Sequence, residues 1–305
     1  MSLAGYVRIL GRGPGRSRSL TQDEAFAAMT LMMREDADPE AVGAVLMLLR
    51  MKGETADEIA GFAAAARAAL PDLPPADLDW PSYAAGRTRG APWFLMSARA
   101  VAEAGHRVLL HGWNGADPKV RTGLRQAGIT TATSVEEAAT ALDDSGIAYM
   151  PFEKLHPGLF RLLALREVLG LRSCVNTVCR MLNPAGAAAS VQGVFHPSYR
   201  LLQADAAALL GWQSLTVVKG GGGEFERNPS KVCAAFGLRG GKPWEGELPA
   251  TVPCARRLAE PAGPHLSNNW NSGTPDEFEQ AIIAATTTAA LDTLVQAAPR
   301  RENAA

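Results

Sequence analysis

The chain is short of three things, and each shortage excludes a class of protein. Cysteine is scarce: Cys174, Cys179, Cys233 and Cys254 are the only ones in 305 residues, and none forms a Cys-x-x-Cys pair. That spacing fits neither a disulfide-stapled secreted domain nor a cysteine metal site, so the thiols read as reduced core residues. Net charge is nearly absent, with 30 Lys+Arg against 31 Asp+Glu and a formal value of -1. No global field therefore draws the protein to nucleic acid. Long apolar runs are missing too, and none reaches the roughly 18 residues of a membrane span. An apolar signal-peptide core is excluded at the start because Gly5, Arg8, Gly11 and Arg12 interrupt it. The expectation is a cytoplasmic protein with no membrane partner.

What is present is a globular composition. Apolar residues make up 47% and charged residues 20%, too apolar for a disordered chain. The length allows one large or two ordinary domains. Charge is uneven along it. Arg8, Arg12, Arg16 and Arg18 precede the first acid, and residues 81–125 hold Arg87, Arg89, Arg99, Arg107, Lys119, Arg121 and Arg125 against Glu103 and Asp117.

The first 70 residues read as helices. Thr21-Gln-Asp-Glu24 and Thr55-Ala-Asp-Glu58 are capping boxes, in which a side-chain oxygen takes an orphan amide and the Glu reaches back. Asp38-Pro39 opens a helix between them, since Pro lacks only a donor that position does not need, and Gly53 ends it. Residues 71–83, rich in Pro and Asp, read as a connection. Beyond it helices at Trp93–Ala104, Lys119–Ala127, Ser134–Leu142 and Ala204–Leu210 alternate with strands at Arg107–His111, Ile147–Met150 and Ser214–Val218. Alternation of this kind predicts a mostly parallel sheet covered by helices, with ligands beyond the carboxyl ends of the strands. His111 and Lys219 stand at such ends. The fold class is α/β: a small N-terminal helical domain (1–70) and a larger α/β domain (71–305) with a mostly parallel central sheet, the segment 157–182 packing back onto the first.

Residues 169–185, LGLRSCVNTVCRMLNPA, resemble the LG-x-RT-x-x-N-x-LGPL-x-NPA segment of anthranilate phosphoribosyltransferases, of the glycosyl transferase family 3 fold. Leu169, Gly170, Arg172, Asn176, Asn183, Pro184 and Ala185 stand at matching places, while Cys179-Arg180 replaces the Gly-Pro. GHRVLLHGWNG and the stretch from VQGV to VVKG resemble further family motifs in the same order. The resemblance implies a dimer through the helical domain, and the stripe Met29, Met32, Leu46 and Leu49 is compatible with such an interface. It also implies ligand contacts at His111, Gly112, Asn114 and Arg172, and Arg180 is a further candidate because a guanidinium fork binds phosphate or carboxylate bidentately. Yet the family's Gly-Thr-Gly-Gly-Asp diphosphate loop is here DWPSYAAGR, where Pro81 removes a donor and only Gly86 survives. The Asp-Glu pair that holds magnesium is reduced to Phe225-Glu226, with Glu224 nearby. These changes are similar to those of the YbiB-type branch, described as binding nucleic acid.

Two functions follow. One is a nucleic-acid-binding homodimer, single-stranded DNA being the plausible ligand, with phosphates on Arg12, Arg16, Arg87, Arg89, Lys219 and the amides near Gly221. Trp80, Tyr83, Trp93 and Trp113 would offer rings to bases. The other is a pentosyl transferase with an altered substrate, using magnesium on Glu224 and Glu226. Plainer readings stand beside each residue: a hydrogen-bonded His111 at a turn, a flexible glycine loop, core aromatics, a solvated basic face. Arg172 and Arg180, eight residues apart, are expected on one helical face.

Overall fold

The computed structural model describes residues 2–13, 15–84, 91–115, 118–253, 256, 258 and 275–297. Its N-terminal helices form where the caps place them. After α1 (Ala4–Gly11), α2 (Gln22–Met32) starts with the Thr21 hydroxyl accepting from the Glu24 amide and the Glu24 carboxylate accepting from the Thr21 amide. α3 (Pro39–Lys52) starts on the Asp38 carboxylate and stops at Gly53, whose φ of 84° suits glycine. α4 (Ala56–Ala68) repeats the capping box with Thr55 and Glu58. Glu58 is fully buried, yet its carboxylate accepts from the amides of Leu20 and Thr55 and from Lys52 Nζ at 2.9 Å, so its charge is compensated.

Helices α2 and α4 cross at Gly61, where an added Cβ would overlap the Gln22 carbonyl and crowd Ala25. Backbone cannot yield there as a side-chain tip does. Gly61→Ala is expected to destabilise by about 1–3 kcal/mol although alanine favours helix, as urea unfolding would read. A neutral G61A would show that the two helices are not held at this spacing.

The larger unit is one eight-stranded sheet in the order β3-β4-β2-β1-β5-β6-β7-β8. Its strands are β1 (Leu78–Ser82), β2 (Val108–Gly112), β3 (Thr130–Thr131), β4 (Ile147–Pro151), β5 (Ala189–Val194), β6 (Ser214–Lys219), β7 (Cys233–Arg239) and β8 (Lys242–Leu248). The first six pair in parallel and the last two are antiparallel, so the mostly parallel sheet is present. Helices α5 (Phe94–Glu103), α6 (Lys119–Gln126), α7 (Val135–Ser145), α8 (Phe152–Leu155), α9 (Pro157–Leu169), α10 (Val175–Arg180) and α11 (Tyr199–Leu209) connect the strands. A last helix, α12 (Glu277–Val295), joins the sheet through Thr293, which bonds Ser214 and Thr216.

The reading of 71–83 as a connection is corrected: it contains β1, a central strand. Pro81 is tolerated because β1 stops pairing with β5 at Asp79. Ser82 turns its carbonyl to the β2 side, where Trp113 N donates to it. The alternate residue Pro81 therefore directs its missing N–H to the side where pairing has ended.

Helix α9 lies against the helical domain. Arg161 donates to the carbonyls of Met33 and Arg34, and His156 Nε2 donates to the Ala66 carbonyl at 2.9 Å. The expected exposed stripe is also corrected. Met29, Met32, Leu46 and Leu49 are buried in the core of a single chain, where α2 packs on α4 and α3 on α1. Among the described residues no helix is long and apolar enough to cross a membrane.

Candidate functional site

Where the helical domain meets the carboxyl end of β5, a cleft of about 510 Å³ opens. Arg50 at the end of α3, Arg166 in the last turn of α9, Arg172 in the following loop and Arg180 at the end of α10 line it, and Glu167 is the one acid among its lining residues. Glu167 is already paired with Arg166 at 3.0 Å. The cleft is therefore cationic although the chain as a whole is not.

The arginines are held in different ways. Arg166 lies over the Trp113 ring, 5.2 Å from its centroid. Arg172 donates to the Ala84 carbonyl. Arg180 is buried and donates to the carbonyls of Asn176, Gly193 and Tyr83 at 2.9, 3.2 and 3.0 Å. Burial pushes its pKa down, opposed by the nearby Glu224 carboxylate. Arg172 and Arg180 do not share a helical face: α9 ends at Gly170, whose φ of 66° breaks the helix, and α10 begins only at Val175. The fold, not helical spacing, brings them to one cleft.

His111 lies outside that cleft and is fully buried. Its Nε2–H donates to Asp79 Oδ1 at 3.1 Å, since a carboxylate only accepts, and its Nδ1 accepts from the Tyr83 hydroxyl at 2.7 Å. Ser190 donates to the other Asp79 oxygen at 2.7 Å. This chain of polar groups ties β1, β2 and β5 together inside the protein. Asn114 is buried as well, donating to Ser82 and accepting from Tyr149, whose hydroxyl also donates to the Gly112 carbonyl. Gly112 lets β1 pass, because a Cβ there would overlap the Ser82 carbonyl.

The glycine-rich loop after β6 has few amides left for a ligand. Gly220 N donates to Val194, Gly221 N to Glu226 and Gly223 N to Gly220. A Cβ on Gly220 or Gly193 would overlap the backbone of Glu224. Those glycines thus allow the loop to press against β5, and Lys219 before them is exposed.

The close packing drives Glu224 and Glu226 inward, and both are buried. Glu224 Oε1 accepts from the Ala84 amide at 2.8 Å, and Glu226 Oε2 accepts from the Phe94 amide, at the start of α5, at 3.0 Å. Burial raises the Glu224 carboxyl to about 7 and the Glu226 carboxyl to about 8, the second also through repulsion from the first. Among the described residues no group of three or more His, Cys, Asp or Glu could hold a metal ion.

Other expected contacts are dispersed. Arg12 and Arg16 are exposed in the helical domain, while Arg18 pairs with Glu24. Arg87 and Arg89 lie outside the described residues. Arg99, Arg107 and Arg121 pair with Glu103, Asp143 and Glu153. Trp80, Tyr83 and Trp93 are core side chains, and of the four rings expected to meet bases only Trp113 is partly exposed. Arg50, Arg166 and Phe195 were not foreseen as site residues. A basic residue in a helix's last turn is common for its effect on the helix's negative end, so no local signal marks the two arginines.

The geometry invites comparison with known proteins. The glycosyl transferase family helical bundle domain matches residues 6–70, and the glycosyl transferase family a/b domain matches residues 94–233. Anthranilate phosphoribosyltransferase 1 of Ralstonia nicotianae is 31% identical over 239 residues, covering 76% of this chain and 69% of the relative. The chain belongs to this family. The anthranilate phosphoribosyltransferase of Photobacterium profundum is 30% identical over 210 residues, 67% of this chain and 62% of that protein's own length. Among solved structures, the anthranilate phosphoribosyltransferase of Thermus thermophilus superposes with a TM-score of 0.79 at 22% identity, covering 97% of this chain and 90% of that one. The Saccharomyces cerevisiae protein in complex with PRPP and Mg gives 0.64 at 16% identity, with 97% of each chain covered. The interval between the two family matches, 71–93, holds β1 and the approach to α5.

Proposed function

We propose that this family member has a degenerate phosphoribosyl-diphosphate site and binds single-stranded nucleic acid through the arginine-lined cleft. One observation carries the first half. The amide of Ala84, within the segment where the family resemblance places the diphosphate loop, and that of Phe94, at the helix start beyond it, already donate to the carboxyl oxygens of Glu224 and Glu226. Amides at a helix start suit an anion, and here the protein's own carboxyl oxygens already occupy them. A diphosphate brought to the same place would meet two buried acids.

Magnesium does not fit the arrangement. It keeps several waters and takes one or two carboxylates in near-octahedral geometry. Glu224 and Glu226 are buried, each holds a backbone amide, and the described residues add no third ligand.

The second half rests on the cleft's charge and position. Arg50 stands on α3, against which α1 packs at Gly11 and Leu48. The exposed Arg8, Arg12 and Arg16 thus belong to the same small domain. Pentosyl transfer on an altered substrate is the second reading, favoured by Arg172 in the cleft and by the named activity of the relatives.

Gel retardation and calorimetry separate the two. A single-stranded oligonucleotide is expected to be retarded at low salt. For about three phosphate contacts the log–log slope of affinity against salt would be about −2. Phosphoribosyl diphosphate with magnesium is expected to give no heat of binding. Tight magnesium-dependent binding of that compound, without retardation of the oligonucleotide, would reverse the ranking.

A further inference from the structure

We infer that the cleft holds one unstacked nucleobase, with Phe195 as its stacking face and the arginines around it gripping the flanking phosphates; this rests on the nucleic-acid reading above. Size decides the form of the ligand. A cleft of about 510 Å³ lies within the range of small-molecule pockets and admits a nucleotide, whereas a base inside a duplex cannot enter it without leaving its stack.

The lining decides its chemistry. Phe195 is 45% exposed and Leu171 49%, and both face the same cleft as Arg50, Arg166 and Arg172. A large aromatic face beside cations suits a ligand with a flat apolar body and negative groups at its edge. A nucleotide is such a ligand, and a bare phosphate chain would leave the ring in water. Phe195 is steadied edge-on by His196, with ring centroids 4.9 Å apart.

Deeper in the cleft, Asn176 Nδ2 and Gln203 Oε1 are buried without hydrogen-bond partners, a donor and an acceptor on residues that both line it. Buried polar groups are nearly always satisfied, so the two atoms point to a ligand that offers an acceptor to Asn176 and a donor to Gln203. Every nucleobase does so along its Watson–Crick edge. The pair therefore recognises that a base is present and discriminates little between bases.

Fluorescence anisotropy tests the inference with a labelled single strand of mixed sequence and a strand of equal length made abasic throughout. The abasic strand is expected to bind roughly tenfold more weakly, within the range of base–aromatic stacking. Phe195→Ala should weaken the normal strand by a similar factor and leave the abasic strand unchanged, while Phe195→Trp should restore the difference. Adenosine monophosphate should displace the normal strand better than ribose 5-phosphate does. Because Phe195 is half exposed, F195A should keep the parent melting temperature. Equal, salt-sensitive binding of both strands, or equal weakening of both by F195A, would overturn the base pocket and leave the nucleic-acid reading in place. Binding of neither strand at low salt would remove both.

Discussion

Resistance to urea should fall as pH rises from about 4.5 to about 8, and replacing Glu224 and Glu226 by glutamine should remove most of that fall. Burial lifts the two folded-state carboxyls to about 7 and about 8, from an ordinary value of 4.5. Over that interval the folded protein holds protons that the unfolded chain has released, so stability declines with pH until both groups are ionised. One pKa unit corresponds to about 1.4 kcal/mol, which puts the combined change by pH 8 at roughly 7 kcal/mol. Two other groups act differently. Glu24, held near 2 by Arg18, loses its contribution only below the interval. His156, kept below its ordinary 6.5 by burial, adds an opposing rise as pH approaches that value. Glutamine still accepts from the amides of Ala84 and Phe94 but does not titrate. The difference between parent and E224Q/E226Q therefore isolates the pair, with the variant the more stable at the alkaline end. Parallel stability–pH curves would show that the carboxyls do not titrate while buried.

Arg180→Ala should cost about 3–5 kcal/mol of unfolding free energy at neutral pH, the usual loss when one partner of a buried charged cluster is removed. Three carbonyls, those of Tyr83, Asn176 and Gly193, lose their donor, and the Glu224 carboxylate loses its neighbouring positive charge. The same change in an E224Q background should cost less, because no buried negative charge is then left uncompensated. A loss below about 1 kcal/mol, as for an exposed ion pair, would mean that the guanidinium is not carrying these contacts. The two predictions meet in one place. Arg180 lines the cleft and lies near Glu224, so the acid pair also supports the cleft wall.

Much of this was legible in the chain, and the legible part is local. Thr21, Asp38 and Thr55 marked helix starts because their side chains satisfy amides three residues away. Gly53 marked a stop. The alternation of apolar runs gave β2, β4 and β6 and the mostly parallel sheet. β1 was missed because four prolines and three aspartates in 71–83 imitate a linker, and only the early end of β1–β5 pairing makes Pro81 harmless. The strand β5, the β7–β8 hairpin and α12 likewise drew no local reading.

For the site the division is sharper. By itself the sequence determined which residue types were available: arginines in excess near the start and around 172–180, four glycines after a strand, and Pro81 and Tyr83 where the family resemblance expects glycines. Tertiary structure alone decided which of them meet. It sealed His111 between Asp79 and Tyr83, buried Met29, Met32, Leu46 and Leu49, and turned Glu224 and Glu226 onto the amides of Ala84 and Phe94. It also gathered Arg50, Arg166, Arg172 and Arg180 from four separate stretches around one cleft. The reason is range. Caps and strand periodicity are set by neighbours within a few residues, whereas a carboxylate 140 residues from its amide, or an arginine beside another from a different domain, is placed only when the whole chain has packed.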